Sequence, residues 1–134
     1  MTARVKARGV RDLTSAQFTL AWDPAVLKYE GQGGHGFKGL NDENFGGTAT
    51  ARGKLVFSWD DPGATGVTLA DGVIVFTVTF TAIGSAGESS RLALVDEFAG
   101  CEAGVNFEAA PFHARNALVI LRSSPLVSSW RAAR

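Results

Sequence analysis

The sequence predicts an all-β domain, an antiparallel sandwich or barrel of about eight short strands. Apolar and polar residues alternate with a period of two along several segments, which is the pattern of a strand with one buried face. Many of the 16 glycines lie between these segments, together with Asp-Pro and Asp-Gly pairs that favour turns. No segment longer than one turn has the apolar spacing of a helix.

The chain begins with two alternating segments. Thr2–Arg8 and Ala16–Trp22 are predicted strands, and Gly9–Ser15 is the predicted connection between them. In the second strand Gln17 and Thr19 are expected to face outward. The opposite side is expected to face the core, and it carries Ala16, Phe18, Leu20 and Trp22.

Asp23 and Pro24 end the second strand and favour one helical turn as far as Val26, because Asp caps a turn and Pro suits its first position. Leu27–Gly31 then resumes extended structure, with Tyr29 inward. Residues 31–47 are predicted to form a long irregular loop with one short strand that the sequence does not place.

A hairpin and the strongest strand follow. Thr48–Ala51 and Lys54–Trp59 are predicted to pair around a turn at Arg52-Gly53, and an Asp-Asp-Pro-Gly turn at 60–63 then breaks the chain. Val73–Ile83 is the clearest alternating segment, with threonines on one side. Its core side is expected to carry Ile74, Phe76, Val78, Phe80 and Ala82.

The last third of the chain has weaker patterns. Arg91–Val95 is a predicted short strand, and Ala117–Leu121 is predicted to be a buried last strand because it is apolar throughout. Asp96–Pro111 is expected to be irregular and held by Phe98, Val105 and Phe107. Arg122–Arg134 has no period and is predicted to be a tail, in which Trp130 is a candidate for docking.

Composition excludes several classes of function. With 13 basic and 13 acidic side chains there is no basic excess for nucleic acid, and no apolar run approaches the roughly 20 residues that insertion into a membrane needs. Cys101 is the only cysteine, so we expect no internal disulfide and a small buried residue. Met1 leads directly into the first strand without a signal peptide, which predicts a cytosolic protein or one piece of a larger one.

The sequence contains no pattern typical of catalysis or of a bound cofactor, so we expect a protein that is not an enzyme. His35 and His113 lack the spacing of metal ligands. The acidic pairs Asp42-Glu43 and Asp60-Asp61 leave a structural calcium open, although capping of turns is favoured because the alternating ligands of calcium loops are missing.

Three segments resemble the cohesin domain, the receptor module of cellulosome scaffolds. They are 17–27 (QFTLAWDPAVL), 53–61 (GKLVFSWDD) followed by Gly66, and 69–82 (LADGVIVFTVTFTA). A weaker fourth match is 96–99 (DEFA), and the likeness covers roughly residues 3–121.

The resemblance implies an antiparallel β-sandwich with jelly-roll topology, of eight to nine strands, over residues 1–121, followed by the tail 122–134. It also implies a non-catalytic module that binds a dockerin, a small calcium-loaded helical module, so that the calcium belongs to the partner. An extracellular or cell-surface location, as part of a larger protein, follows from the same resemblance.

Partner-contacting residues can be transferred only where the motifs match. The family's polar contacts match Ser15 and Gln17, and its acidic contact matches Asp61, with Asp60 beside it. A glycine contact falls near Gly63 or Ala64, whereas a family tyrosine has no counterpart at Ala49 or Thr50. The predicted partner-binding residues, to which Thr19 is added as their outward neighbour, are Ser15, Gln17, Thr19, Asp60, Asp61 and Gly63.

Family members begin with one more strand, which pairs with the last one, and Met1 stands in its place here. Ala117–Leu121 is therefore predicted to be an open apolar edge, covered by the tail or by a second copy in a homodimer.

Two other functions remain open for this architecture. A carbohydrate-binding module would bind a polysaccharide on exposed coplanar aromatic rings, but Trp22 and Trp59 share the parity of core residues and are expected to be buried. A structural spacer in a larger surface protein is the third reading.

Overall fold

The computed structural model describes residues 1–36 and 39–122 and shows two antiparallel sheets packed face to face. The first sheet has the order β1-β6-β3, and the second has the order β10-β7-β2-β5-β4. The strands are β1 Thr2–Lys6, β2 Leu13–Ala21, β3 Leu27–Gly33, β4 Phe45–Gly46, β5 Lys54–Asp60, β6 Ile74–Ala82, β7 Ser89–Val95, β8 Glu102–Val105, β9 Glu108–Ala110 and β10 Ala117–Ile120.

In the part of the chain that the structure describes, helical structure is limited to the short 3₁₀ turns Asp42–Asn44 and Thr50–Arg52. Within the described ranges, no helix has the length and apolar character that would let it cross a membrane. The prediction of an all-β antiparallel sandwich is confirmed. The strands that the sequence did not place are the short β4 and the β8–β9 pair.

Aromatic rings from both sheets interlock in the core. Phe18 on β2 and Phe57 on β5 stack with a centroid distance of 4.8 Å, and Phe76 on β6 lies 5.3 Å from Phe57. Trp22 meets Phe80 edge to face at 5.0 Å. The alternation read from the sequence therefore assigned these inward positions correctly, and Trp22 and Trp59 are buried as predicted.

The turn after β2 forms as the Asp-Pro pair predicts. The backbone N–H groups of Val26 and Leu27 both donate to the carbonyl oxygen of Asp23, at 3.0 Å each. The Asp23 carboxylate also accepts from the N–H of Ala25 at 2.9 Å. This single turn delivers Leu27, which is fully buried, into the start of β3.

The predicted strand at Thr48–Ala51 is wrong. This stretch contains a 3₁₀ turn that ends at Gly53, whose φ is 79°. A Cβ at Gly53 would lie 2.2 Å from the carbonyl oxygen of Trp22, the residue after β2, so only glycine fits where this turn ends. The strand that pairs with β5 on this side is β4, inside the loop where one short strand was expected but not placed.

The region 96–111, predicted to be irregular, contains the β8–β9 hairpin. β8 pairs with β2, which itself begins at Leu13 rather than at Ala16. Phe98 and Phe107 are 62% and 72% exposed, so the prediction that they anchor the core is wrong. Both have a φ of 66°, because they lie in turns whose backbone directs their side chains away from the core.

The last strand is only half buried. Val119 and Leu121 pack against the core, whereas Leu118 and Ile120 are 61% and 53% exposed, which corrects the prediction of a fully buried strand. Among the described residues β10 pairs with β7 alone and forms an edge of its sheet. Coverage of this edge by a second copy stays a prediction, and the tail with Trp130 lies outside the described residues apart from Arg122.

Replacing the ring that joins the two sheets should destabilise the whole domain. We expect Phe76→Ala to lower the free energy of unfolding by about 3–5 kcal/mol, because it opens a cavity at a fully buried position. Leu118→Ala, which removes an exposed apolar side chain, should change it by less than about 0.5 kcal/mol. Urea denaturation followed by tryptophan fluorescence measures both, and equal losses would contradict the placement of Phe76 in a shared core.

Candidate functional site

The outer surface of β2 and β5 places the predicted polar residues in register. Ser15 lies opposite Asp60, and Gln17 lies opposite Ser58. Trp59, between these two rows, and the Phe18–Phe57 pair that follows them are buried in the core and fix the orientation of the outer side chains. A strand pair held this firmly on its inner face presents its outer residues on a rigid support.

β8 extends this surface on the other side of β2. Glu102 lies opposite Gln17 and accepts a hydrogen bond of 3.1 Å from the Gln17 Nε2 atom. Gly104 lies opposite Ser15, and a Cβ at this position would be 2.4 Å from the Ser15 Oγ atom. We call the surface formed by Ser15, Gln17, Ser58, Asp60, Glu102 and Gly104 the polar face.

Thr19 does not belong to the accessible polar face. Its exposed fraction is 0%, because the segment 97–99 crosses the sheet over it. The Thr19 Oγ1 atom donates to the carbonyl oxygen of Glu97, and the N–H of Ala99 donates back at 3.4 Å. The expectation that Thr19 faces solvent is therefore wrong, since the sequence did not reveal that a later loop covers this row.

Asp61 organises the loop that follows β5. Its carboxylate accepts hydrogen bonds from the backbone N–H groups of Gly63 at 3.0 Å, Thr65 at 2.9 Å and Gly66 at 2.7 Å. The hydrogen bond from Gly66 is the main cause that holds the pKa of this carboxyl below its ordinary value. Burial raises the pKa, and the bonds from Gly63 and Thr65 lower it further. Because both carboxylate oxygens accept backbone N–H groups, Asp61 caps the turn. Turn capping is the role that the sequence favoured for the Asp60-Asp61 pair.

Asp60 differs from its neighbour, since it is exposed at the end of β5 beside Ser15. Gly63 is exposed in the loop that Asp61 holds. The structure therefore brings Ser15, Gln17 and Asp60 together on one face, with Gly63 in the adjoining loop. It adds Glu102, which sequence reasoning missed because the β8 strand was not predicted.

His35 and Asp42, two of the residues considered as metal ligands, lie close together in the loop before β4. His35 lies 3.5 Å from an oxygen of Asp42 and stacks on Phe45 with a centroid distance of 5.8 Å. Within residues 1–36 and 39–122, no group of three or more His, Cys, Asp and Glu side chains is arranged to hold a metal ion. The polar face contains a small depression whose side chains can offer hydrogen bonds and negative charge to another molecule.

Three solved structures show the same fold. The seventh ScaB type I cohesin from Pseudobacteroides cellulosolvens has a TM-score of 0.72 and 14% identity over 94% of this chain and 85% of that chain. The sixth cohesin of scaffoldin B from Acetivibrio cellulolyticus, solved with a Cel5 dockerin variant, has a TM-score of 0.71 and 20% identity over 91% and 88%. The non-cellulosomal cohesin from the archaeon Archaeoglobus fulgidus has a TM-score of 0.71 and 19% identity over 97% and 86%.

No curated protein sequence matches the chain. The profile of the cohesin domain matches residues 1–110, which is most of the 134-residue chain and includes β1 to β9. This match spans the core strands and the polar face described above. The chain belongs to the cohesin domain family.

Proposed function

We propose that this chain is a non-catalytic module that binds a dockerin-type protein through the polar face. Membership of the cohesin family carries the proposal, and the structure supports it with an open face of polar side chains on a rigid sheet. The A. cellulolyticus relative was solved together with a dockerin, which shows that the fold can present a dockerin site.

The face suits a helical partner better than a small molecule. Small-molecule sites are concave and mostly apolar, whereas the depression formed by β2, β5 and Glu102 is small and lined mainly by polar groups. Standard protein interfaces bury roughly 800 Å² on each side, so the partner would extend beyond the polar face onto the neighbouring loops. The loop held by Asp61 and the β8–β9 hairpin lie in the right places to provide this contact.

The dockerin supplies its own calcium in this proposal, and the cohesin-like chain needs no cofactor. The interaction domain comprises residues 1–121 of a larger extracellular or cell-surface protein, with 122–134 as its tail. The Archaeoglobus fulgidus relative is a non-cellulosomal cohesin. Dockerins from outside cellulosomes are therefore also candidate partners of this chain.

Carbohydrate binding is the less favoured alternative. Trp22 and Trp59 are buried and Tyr29 is half-buried, so these rings form no exposed platform on either sheet. Among the described residues the exposed large aromatic rings are Phe98 and Phe107, which lie in two different turns.

Binding to dockerins is tested by titration calorimetry against a panel of calcium-loaded dockerin modules. The panel should contain the dockerin-bearing proteins encoded beside this chain and the Cel5 dockerin. We expect at least one to bind with Kd below about 1 μM in calcium and not in EDTA, because binding of a structural metal is coupled to folding and the chelator would remove the calcium of the dockerin. Retention of the chain on insoluble cellulose or chitin, with no dockerin bound, would contradict the proposal and support the carbohydrate alternative.

Substitutions at the two adjacent aspartates should separate binding from loop structure. Asp60→Asn removes an exposed charge from the polar face, so it should weaken dockerin binding by about three- to tenfold while leaving Tm unchanged. Asp61→Asn keeps only one of the two accepting oxygens, so it should lower Tm.

The pH dependence of Tm checks the second variant. A carboxyl whose pKa is lower in the folded than in the unfolded state stabilises the native state at pH values above the unfolded pKa of 3.8. This stabilisation is lost as the pH falls below 3.8 toward the folded pKa. The difference in Tm between wild type and Asp61→Asn should therefore be full near pH 6 and shrink below pH 3.8. A difference that does not depend on pH would refute the role of Asp61 as a charged cap.

A further inference from the structure

We propose that Phe107 is the apolar anchor of the partner interface, and that the partner presents an apolar patch flanked by Lys or Arg side chains. The inference rests on the proposed function, because it assigns chemistry to the same face.

The backbone at Phe107 is unfavourable for a phenylalanine. Asn106 and Phe107 form the two-residue turn between Val105 and Glu108, with φ values of 52° and 66°. A two-residue hairpin turn of this kind needs positive φ at both central residues, which is why Asn-Gly is the common sequence. Asn tolerates the left-handed region, whereas a bulky side chain is strained there.

Tertiary contacts hold this turn in its strained form. The N–H of Asn106 donates to the carbonyl oxygen of Asp12 at 3.1 Å, and the N–H of Phe107 donates to the Thr14 Oγ1 atom at 3.0 Å. Thr14 is itself buried at the start of β2. Strained backbone that is fixed by its surroundings is typical of functional positions.

The backbone strain at Phe107 is not offset by burial of its ring. Its side chain is among the most exposed large apolar groups of the described residues, at 72%. It lines a groove that includes part of the polar face, namely Ser15, Asp60, Glu102 and Gly104, and also Glu108. An exposed aromatic ring on a fixed turn next to a groove is a candidate anchor, because a few large side chains, often aromatic, dominate protein interfaces.

The charge of the groove indicates the charge that a complementary partner surface would carry. Among the described residues, its charged lining residues are Asp60, Asp61, Glu102 and Glu108, and neither a lysine nor an arginine of that part of the chain lines it. Of these carboxylates, Asp61 is already engaged by backbone N–H groups, which leaves three that project negative charge around the ring. A complementary partner surface therefore places cations around an apolar side chain.

Phe107→Gly tests the anchor without weakening the fold. Glycine adopts positive φ without strain, so the variant should have a Tm unchanged or raised by up to about 5 °C, while dockerin affinity falls at least about tenfold. Leu118→Ala is the matched control, because it removes an exposed apolar side chain on β10 and should leave affinity unchanged. A lower Tm with full affinity would overturn the proposal and make Phe107 a structural residue.

The charge requirement is tested with Glu102→Gln. The amide can still accept the hydrogen bond from Gln17, so only the charge is lost, and both affinity and its dependence on ionic strength should decrease. Glu30→Gln on β3, in the opposite sheet, is the matched control and should change neither. Equal effects of the two variants would overturn the assigned partner chemistry.

A second probe separates this inference from the dockerin proposal. The isotope-labelled wild-type chain is titrated with an amphipathic helical peptide that carries lysines beside leucines, and with the same peptide carrying glutamates. If no dockerin binds, the proposed function fails, but amide shifts at residues 13–17, 58–61 and 102–109 with the lysine peptide alone would still support the groove chemistry. Equal shifts with both peptides, or shifts confined to β1, β3 and β6, would overturn it.

Discussion

The stacking of aromatic rings between the two sheets is the constraint on which the rest of the structure depends. Phe18 and Phe57 come from one sheet and Phe76 from the other, and all three are buried. Their burial removes a large apolar area from water, which is the main favourable term in folding a domain of this size. Because every second residue of β2 and β5 is committed to this core, the intervening residues must face outward.

β2 connects the core to the candidate site. It pairs with β5 along one edge, and with β7 and β8 along different parts of the other edge. Its N-terminal half carries Ser15 and Gln17, and Thr14 in the same stretch holds the strained turn at Phe107. One strand therefore positions both the polar face and the exposed ring, so their relative geometry does not rely on a mobile loop.

Charge is distributed unevenly in a chain whose formal net charge is zero. Asp60, Glu102 and Glu108 lie around one groove, while Arg4, Lys6 and Lys28 lie on the strands of the opposite sheet. Asp60 and Asp61 show that neighbours of identical chemistry can have different roles, since one projects charge and the other satisfies three backbone donors. Local geometry, rather than residue type, decides this division.

The sequence by itself determined the sandwich, the inward rings and the outward position of Gln17, because a period of two fixes which face each side chain takes once a strand exists. It did not reveal the β8–β9 hairpin, since Asn-Phe is not a usual turn pair, nor the burial of Thr19 under residues distant in the chain. Only the tertiary structure decided these features. Coverage of one strand by a remote segment, and a strained turn held by remote hydrogen bonds, depend on contacts that no local pattern records.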